Sequence, residues 1–244
     1  MKNSKFIDAI IEMIKTTNNS VPTKEQFAEE LSRNGEHVSE CPREERRENT
    51  RMLELVFLLT LELVEEKYGN SNVQIFPTPQ FRKDGKASQI GTAGGDHTTF
   101  GVGIGADVTT WEQVFYELCH ESVHLLNPVV NIETTSVSSM DEGVAVKFAE
   151  DLYARFITSY TGREPAISPT HAGVAHPYRV AFDIVRKIPD SVLKEIRAEF
   201  GAFSQVTDEI KLLKFASEYI SEEEARVICL PFSYSKGIGQ TSMR

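Results

Sequence analysis

Apolar positions along most of the chain recur at steps of three and four residues, the rhythm of helices buried on one face. Phe6, Ile7, Ile10, Ile11 and Ile14 form the first such stripe, and Asn18-Asn19-Ser20 interrupts it. Pro22 and a Thr23/Gln26 capping box restart a helix that carries Phe27 and Leu31. Gly35 and Pro42 bracket a polar loop, after which a long helix is predicted over residues 44–68. Residues 52–64 are apolar on most faces and read as deeply buried, whereas Arg43-Glu44-Glu45-Arg46-Arg47-Glu48 reads as a solvated first turn. The rhythm changes at Asn72. Val73-Gln74-Ile75-Phe76 alternates like a strand, residues 81–91 have room for a second, and residues 98–106 give the clearest one. There Phe100, Val102, Ile104 and Ala106 take one face, and Gly101, Gly103 and Gly105 the other. A glycine face admits another backbone closely, so it either borders a cleft or lies beneath a helix.

Helical periodicity returns with Trp111, Val114, Phe115, Leu118, Ser122, Leu125 and Leu126. Thr109 with Glu112, or Thr110 with Gln113, marks its start, and Pro128 closes it. A further helix is predicted over 141–160, with Val144, Phe148, Leu152 and Phe156 as its stripe. Others follow over 172–187, 190–200, 204–219 and 221–228, the last opened by a Ser221/Glu224 capping box. The fold class expected is α+β, mostly helical with a small twisted sheet. An N-terminal helical segment (1–70), a strand-bearing segment (71–136) and a C-terminal helical part (137–244) would make one domain of two lobes.

The chemistry concentrates in Cys119-His120-Glu121-Ser122-Val123-His124, in which His120, Glu121 and His124 spell H-E-x-x-H. Residues four apart stack on one helix face, so both imidazoles can point at one metal ion. Glu121, about 100° around from His120, can reach a water there without being a ligand. Cys119 turns away and reads as a buried thiol. A catalytic zinc takes a third protein ligand and keeps one position open. The metzincin continuation would need Gly and His where the chain has Asn127 and Val130. Spacing leaves His37, His97, His171 and His176 open as donors, but a carboxylate fits better: Glu142, with Asp141 and Glu133 as alternatives. Ser139 and Glu142 can also be read as a plain capping box.

H-E-x-x-H followed by Glu142-Gly143-Val144-Ala145 resembles the gluzincin zinc metallopeptidases, over about residues 98–150. That resemblance implies a zincin-like fold, one Zn2+ per chain held by His120, His124 and Glu142, and packing of the Glu142 helix on the motif helix. It also implies Glu121 as general base and a downstream His or Tyr as oxyanion donor. His176 and Tyr178 are the candidates in His171-Ala172-Gly173-Val174-Ala175-His176-Pro177-Tyr178-Arg179, with Arg179 as a substrate-binding cation. Two departures stand out: no G-x-M-E-N precedes the motif, and Val146 occupies the place of an Asp that would support the histidines.

A net charge of -10 over 244 residues argues against a nucleic-acid grip or an anionic membrane surface. No apolar run approaches a membrane span, no secretory signal is evident, and three scattered cysteines form no disulfide framework. The expectation is a cytoplasmic zinc peptidase acting on a peptide or protein, of endopeptidase or processing type. Its rival is a zinc-binding scaffold or regulator that uses the same cleft without cleaving anything. A deformylase fits less well, because its Cys ligand should follow a strand and Cys41 lies in a polar helical region.

Overall fold

A computed structural model describes residues 3–17, 22–93, 98–129, 137–171 and 176–233. Helices α1 (Asn3–Thr16), α2 (Pro22–Asn34) and α3 (Arg47–Tyr68) lead into strands β1 (Gln74–Ile75), β2 (Gln80–Phe81), β3 (Gln89–Thr92) and β4 (Thr99–Ile104). Helices α4 (Trp111–His124), α5 (Ser139–Leu152), α6 (Ser159–Thr161), α7 (Pro177–Val185), α8 (Asp190–Phe200), α9 (Glu209–Ala216) and α10 (Glu222–Cys229) follow. The architecture is mostly helical α+β with a small mixed sheet. One hydrophobic core runs from Phe6 and Ile10 through Phe57 and Val114 to Phe148, Val185 and Ile228. His97, Glu133 and residues 172–175 lie outside the described residues, as does much of the 129–138 connector.

β4 is the centre of the sheet. β1 and β2 run parallel to it along one edge, and β3 runs antiparallel along the other, with Gln89 opposite Gly103 and Thr92 opposite Phe100. Phe100, Val102 and Ile104 join the core, as alternation requires. The glycine face borders a cavity, though not one that contains the motif histidines: Gly101 and Gly103 line it with Phe76, Gln80 and Arg82. A Cβ on Gly101 would meet Phe76 at 3.4 Å, one on Gly103 would meet the Arg82 side chain at 3.0 Å, and one on Gly105 the Ser88 amide at 2.8 Å. The connecting segments thus approach the glycines closely without closing that face, and β3 is the strand that reaches the motif helix through Gln89 and Ile90.

α3 and α4 pack as a buried pair, joined by a Thr60–Ser122 hydroxyl contact of 2.9 Å. Ser122 also donates to the Leu118 carbonyl at 2.6 Å, so neither hydroxyl is buried without a partner. α5 runs on through a π-helical turn at Tyr153–Thr158 rather than as uniform α-helix. The stripe explains the turn. Val144, Phe148, Leu152 and Phe156 recur every fourth residue, and at 3.6 residues per turn such a stripe drifts around the helix. A wider turn keeps Phe156 and Ile157 buried.

A charged cluster ties α3, α5 and α8 together. Lys147 on α5 bonds Asp151 and Asp190, each at 2.8 Å, and Lys67 of α3 reaches Asp190 at 2.8 Å. Burial alone would raise the Asp190 carboxyl, but hydrogen bonds from Lys147 and Lys67 outweigh it and hold the group below its ordinary value. Arg43 corrects the reading of residues 43–48 as plain solvated surface. Its guanidinium donates to the Val108 carbonyl at 3.0 Å and to Gly105, and it lies over the Phe81 ring. α2 spans Pro22–Asn34, and the capping role expected of Thr23 lies outside the described side chains.

Candidate metal centre

The motif helix is fixed at both ends. Of the two possible caps, Thr110 and Gln113 form the reciprocal box, and Gln113 Oε1 also accepts from the Thr109 amide at 2.7 Å. Trp111 donates its indole N–H to the Ser39 carbonyl at 2.7 Å and stacks on Phe6. At the C-terminal end Arg197 clamps the exposed carbonyls. Its guanidinium donates to Tyr68 O at 3.0 Å, Asn70 O at 2.9 Å, Leu126 O at 3.2 Å and Asn127 Oδ1 at 3.0 Å. One side chain thus satisfies the ends of α3 and α4 together, where orphan carbonyls would otherwise be buried. Cys119 is fully buried, and burial pushes its thiol far up, so it is inert.

α5 starts beside the last turn of α4. Ser138 and Ser139 donate their amides to Ser204 O and Leu230 O, and their hydroxyls bond the Phe203 and Leu230 carbonyls. Ser139 is therefore not a cap for Glu142. The first turn of α5 is left to present Asp141 and Glu142 to the two histidines. His120 Nε2 and His124 Nε2 lie 3.1 Å apart, and Glu142 Oε2 lies 3.3 Å from the first and 3.5 Å from the second. His124 Nδ1 meets Asp141 Oδ2 at 2.8 Å. With the Nδ1 proton given to Asp141, the His124 Nε2 lone pair faces the other two donors.

Ligands about 2.0–2.1 Å from a tetrahedral ion stand about 3.3–3.4 Å apart, so the three separations are close to one face of a tetrahedral ligand set. His120, His124 and Glu142 could hold a metal ion. The electrostatics agree. Burial would raise the Glu142 carboxyl, yet His124 and His120 hold it far below the ordinary range, so it is ionised as a ligand must be. Burial would lower His124, and Glu142 and Asp141 raise it instead.

No family model, no curated protein and no solved structure matches the chain significantly. What the structure does bring together is His120, His124 and Glu142.

A cavity of about 280 Å³ opens over the cluster. His120, Glu121, His124, Asp141 and Glu142 form its floor; Lys86–Ile90 forms one wall, and Asn127, Val129, Val137 and Tyr178 the others. Glu121 points into it while only 4% exposed, and burial pushes its carboxyl up to about 7 against the pull of His124 and His120. The Tyr178 ring lies 6.3 Å from that of His120, and burial and then Glu142 raise its hydroxyl, which stays protonated. His176 is stacked behind Tyr178 at 5.6 Å and does not line the cavity. Arg179 is engaged elsewhere, at 2.7 Å from Asp183 and on the Thr170 carbonyl. His37 and His171 are exposed and away from the cluster.

Two features escaped sequence reading. Asp141 takes the supporting role that Val146 cannot, from a residue adjacent to Glu142 rather than a turn beyond it. Gly143 faces α7: a Cβ there would lie 2.6 Å from Val185 Cγ2 and 2.9 Å from the Ala181 carbonyl. Close packing of α5 on α7 carries Tyr178 to the cavity.

No helix among the described residues is long and apolar enough to cross a membrane.

Proposed function

We propose that this protein is a zinc-dependent peptidase of the gluzincin type, with His120, His124 and Glu142 as ligands. The observation that carries the reading is the set of three donor atoms at tetrahedral-edge spacing beside a separate buried carboxylate in one cavity. Zinc bound there would acidify a water and polarise the scissile carbonyl. Glu121, not a member of the donor triangle, accepts the proton of the attacking water and delivers it to the leaving amine. Its raised pKa suits a group that takes and returns a proton near neutrality. The Tyr178 hydroxyl, held protonated, donates to the carbonyl oxygen as negative charge develops; His176 supports the Tyr178 ring from behind. Asp141 orients His124.

β3 pairs with β4 on one side and has no strand partner on the other among the described residues. An extended peptide can add to that edge, with its backbone bonded along Lys86–Ile90 over the floor of the cavity. This favours a peptide over a compact small molecule, and the tunable walls are Ile90, Val129 and Val137.

The test combines metal content with hydrolysis of a peptide library. Wild type should bind about one zinc per chain and cleave; Glu121→Gln should keep the metal and lose turnover by orders of magnitude. Zinc without hydrolysis of any peptide would favour the scaffold reading. Normal cleavage by Glu121→Gln would overturn the mechanism.

A further inference from the structure

Beyond α10 the chain runs back to the site. Leu230, Pro231 and Phe232 lie antiparallel to Val137, Ser138 and Ser139, with Pro231 opposite Ser138. The Ser139 amide and hydroxyl donate to Leu230 O at 2.9 Å and 3.0 Å, and the Phe232 amide donates to Val137 O at 2.8 Å. Pro231 thus occupies the pair that exchanges no ladder bond, where its missing N–H loses nothing, and the Ser138 amide turns away to Ser204 O. This strap adjoins what the site needs: Ser139 opens α5, which carries Asp141 and Glu142, and Val137 lines the cavity. Phe232 adds a ring. It stands 4.8 Å from the Tyr178 ring and tilted by 60°, nearer than His176 at 5.6 Å or His120 at 6.3 Å. Phe232 and Val137 are both buried, yet neither belongs to the main core, whose last member is Cys229. Membership of that core therefore does not account for the burial of Phe232.

We propose that Phe232 is a positioning residue that fixes the Tyr178 ring against the metal cavity. Its role in turnover rests on the peptidase reading, in which the Tyr178 hydroxyl donates to the developing oxyanion; the contact itself does not. A tyrosine turns about two side-chain bonds, so a donor at the far end of its ring keeps its aim only where the ring is packed. A tilted aromatic pair at this separation is a favoured arrangement. Because the Phe232 amide is bonded to Val137, just before α5, the strap ties the Tyr178 ring to the segment that opens the Glu142 helix. The oxyanion donor and the third ligand then share one support.

The experiment uses the full-length protein, with and without zinc, and compares wild type, Phe232→Ala, Phe232→Leu, Tyr178→Phe and the Tyr178→Phe, Phe232→Ala double variant. Ring signals of isotope-labelled tyrosine are followed by NMR, and the Tyr178 signal is the one missing from Tyr178→Phe. In Phe232→Ala that signal should shift further than any other tyrosine's, with or without zinc; Phe232→Leu keeps apolar bulk there and should move it less. In peptide hydrolysis, loss of such an aromatic contact should lower kcat of Phe232→Ala by about tenfold, with KM within about twofold and zinc affinity unchanged. Phe232→Leu should fall between it and wild type, and decides the matter alone where the alanine variant does not fold. In the Tyr178→Phe background Phe232→Ala should cause no further loss, because the group it positions is already gone. An unmoved Tyr178 signal would overturn the proposal. So would zinc affinity falling in step with kcat, or an equal loss in the Tyr178→Phe background. Failure of the wild type to cleave any peptide would refute the peptidase reading and the role in turnover, while the Tyr178 signal still decides whether Phe232 holds the ring.

Discussion

Replacing Asp141 separates support of a ligand from ligation itself. The carboxylate lies 2.8 Å from His124 Nδ1, is 9% exposed, and shares the first turn of α5 with Glu142. Asp141→Asn keeps the shape but removes the charge that holds the imidazole in the tautomer with its Nε2 lone pair toward the other donors. A charge-assisted hydrogen bond of this kind contributes about 1.5–3 kcal/mol. Supporting partners of metal ligands typically change affinity by about 10–100-fold, or about 1.4–2.7 kcal/mol, so the two estimates agree. Zinc affinity, measured by competition with a chromophoric chelator, should therefore fall by one to two orders of magnitude on the ~10–100-fold scale. Glu142→Ala, which removes a ligand, should weaken binding further. The apo protein needs its own control. Loss of a negative charge near the α5 N-terminus costs about 0.3–1 kcal/mol, so metal-free stability should change by less than zinc affinity does. Asp141→Asn and Asp141→Ala both binding zinc within about twofold of wild type would refute this assignment.

Three further outcomes test the frame around the site. Gly143→Ala drives a methyl into the Ala181 carbonyl and Val185, and should cost about 1–3 kcal/mol in denaturant unfolding; a neutral variant would show that α5 and α7 are looser than drawn. Arg197→Lys keeps the charge but cannot reach all four acceptors, and a thermal or chemical melt should register a loss of about 1–3 kcal/mol from the carbonyls left without donors. Asp190 has its folded pKa depressed below 3.8, so the stability it contributes is present above about pH 4 and lost as pH falls through the folded value. Asp190→Asn should therefore be less stable than wild type at pH 7 by roughly 1–2 kcal/mol, with the gap closing in acid. A gap that stays constant down to pH 2 would mean the Lys147 and Lys67 bonds do not depend on its charge.

Local signals were legible in the order of residues. The helix predicted over 190–200 is Asp190–Phe200, and the Ser221/Glu224 box opens Glu222–Cys229, because caps and periodicity act within a few residues. Two imidazoles four apart on one helix were equally plain, since helix geometry alone brings them together. The sequence offered two caps for α4 and several third donors; packing formed the Thr110 cap and brought Glu142 to the histidines. Ser138 and Ser139 are bonded to segments more than sixty residues away, and that placement turns Glu142 and Asp141 toward the histidines. β1 falls within the alternation of residues 73–76, whereas β2, two residues long, carries no such pattern and exists because β4 lies beside it. The same holds for Gly105, whose missing side chain has meaning only once Ser88 is against it. Chain-local forces determined the helices and the motif face. Tertiary structure alone decided which groups share a cavity, because each of those contacts joins residues that no local rule relates.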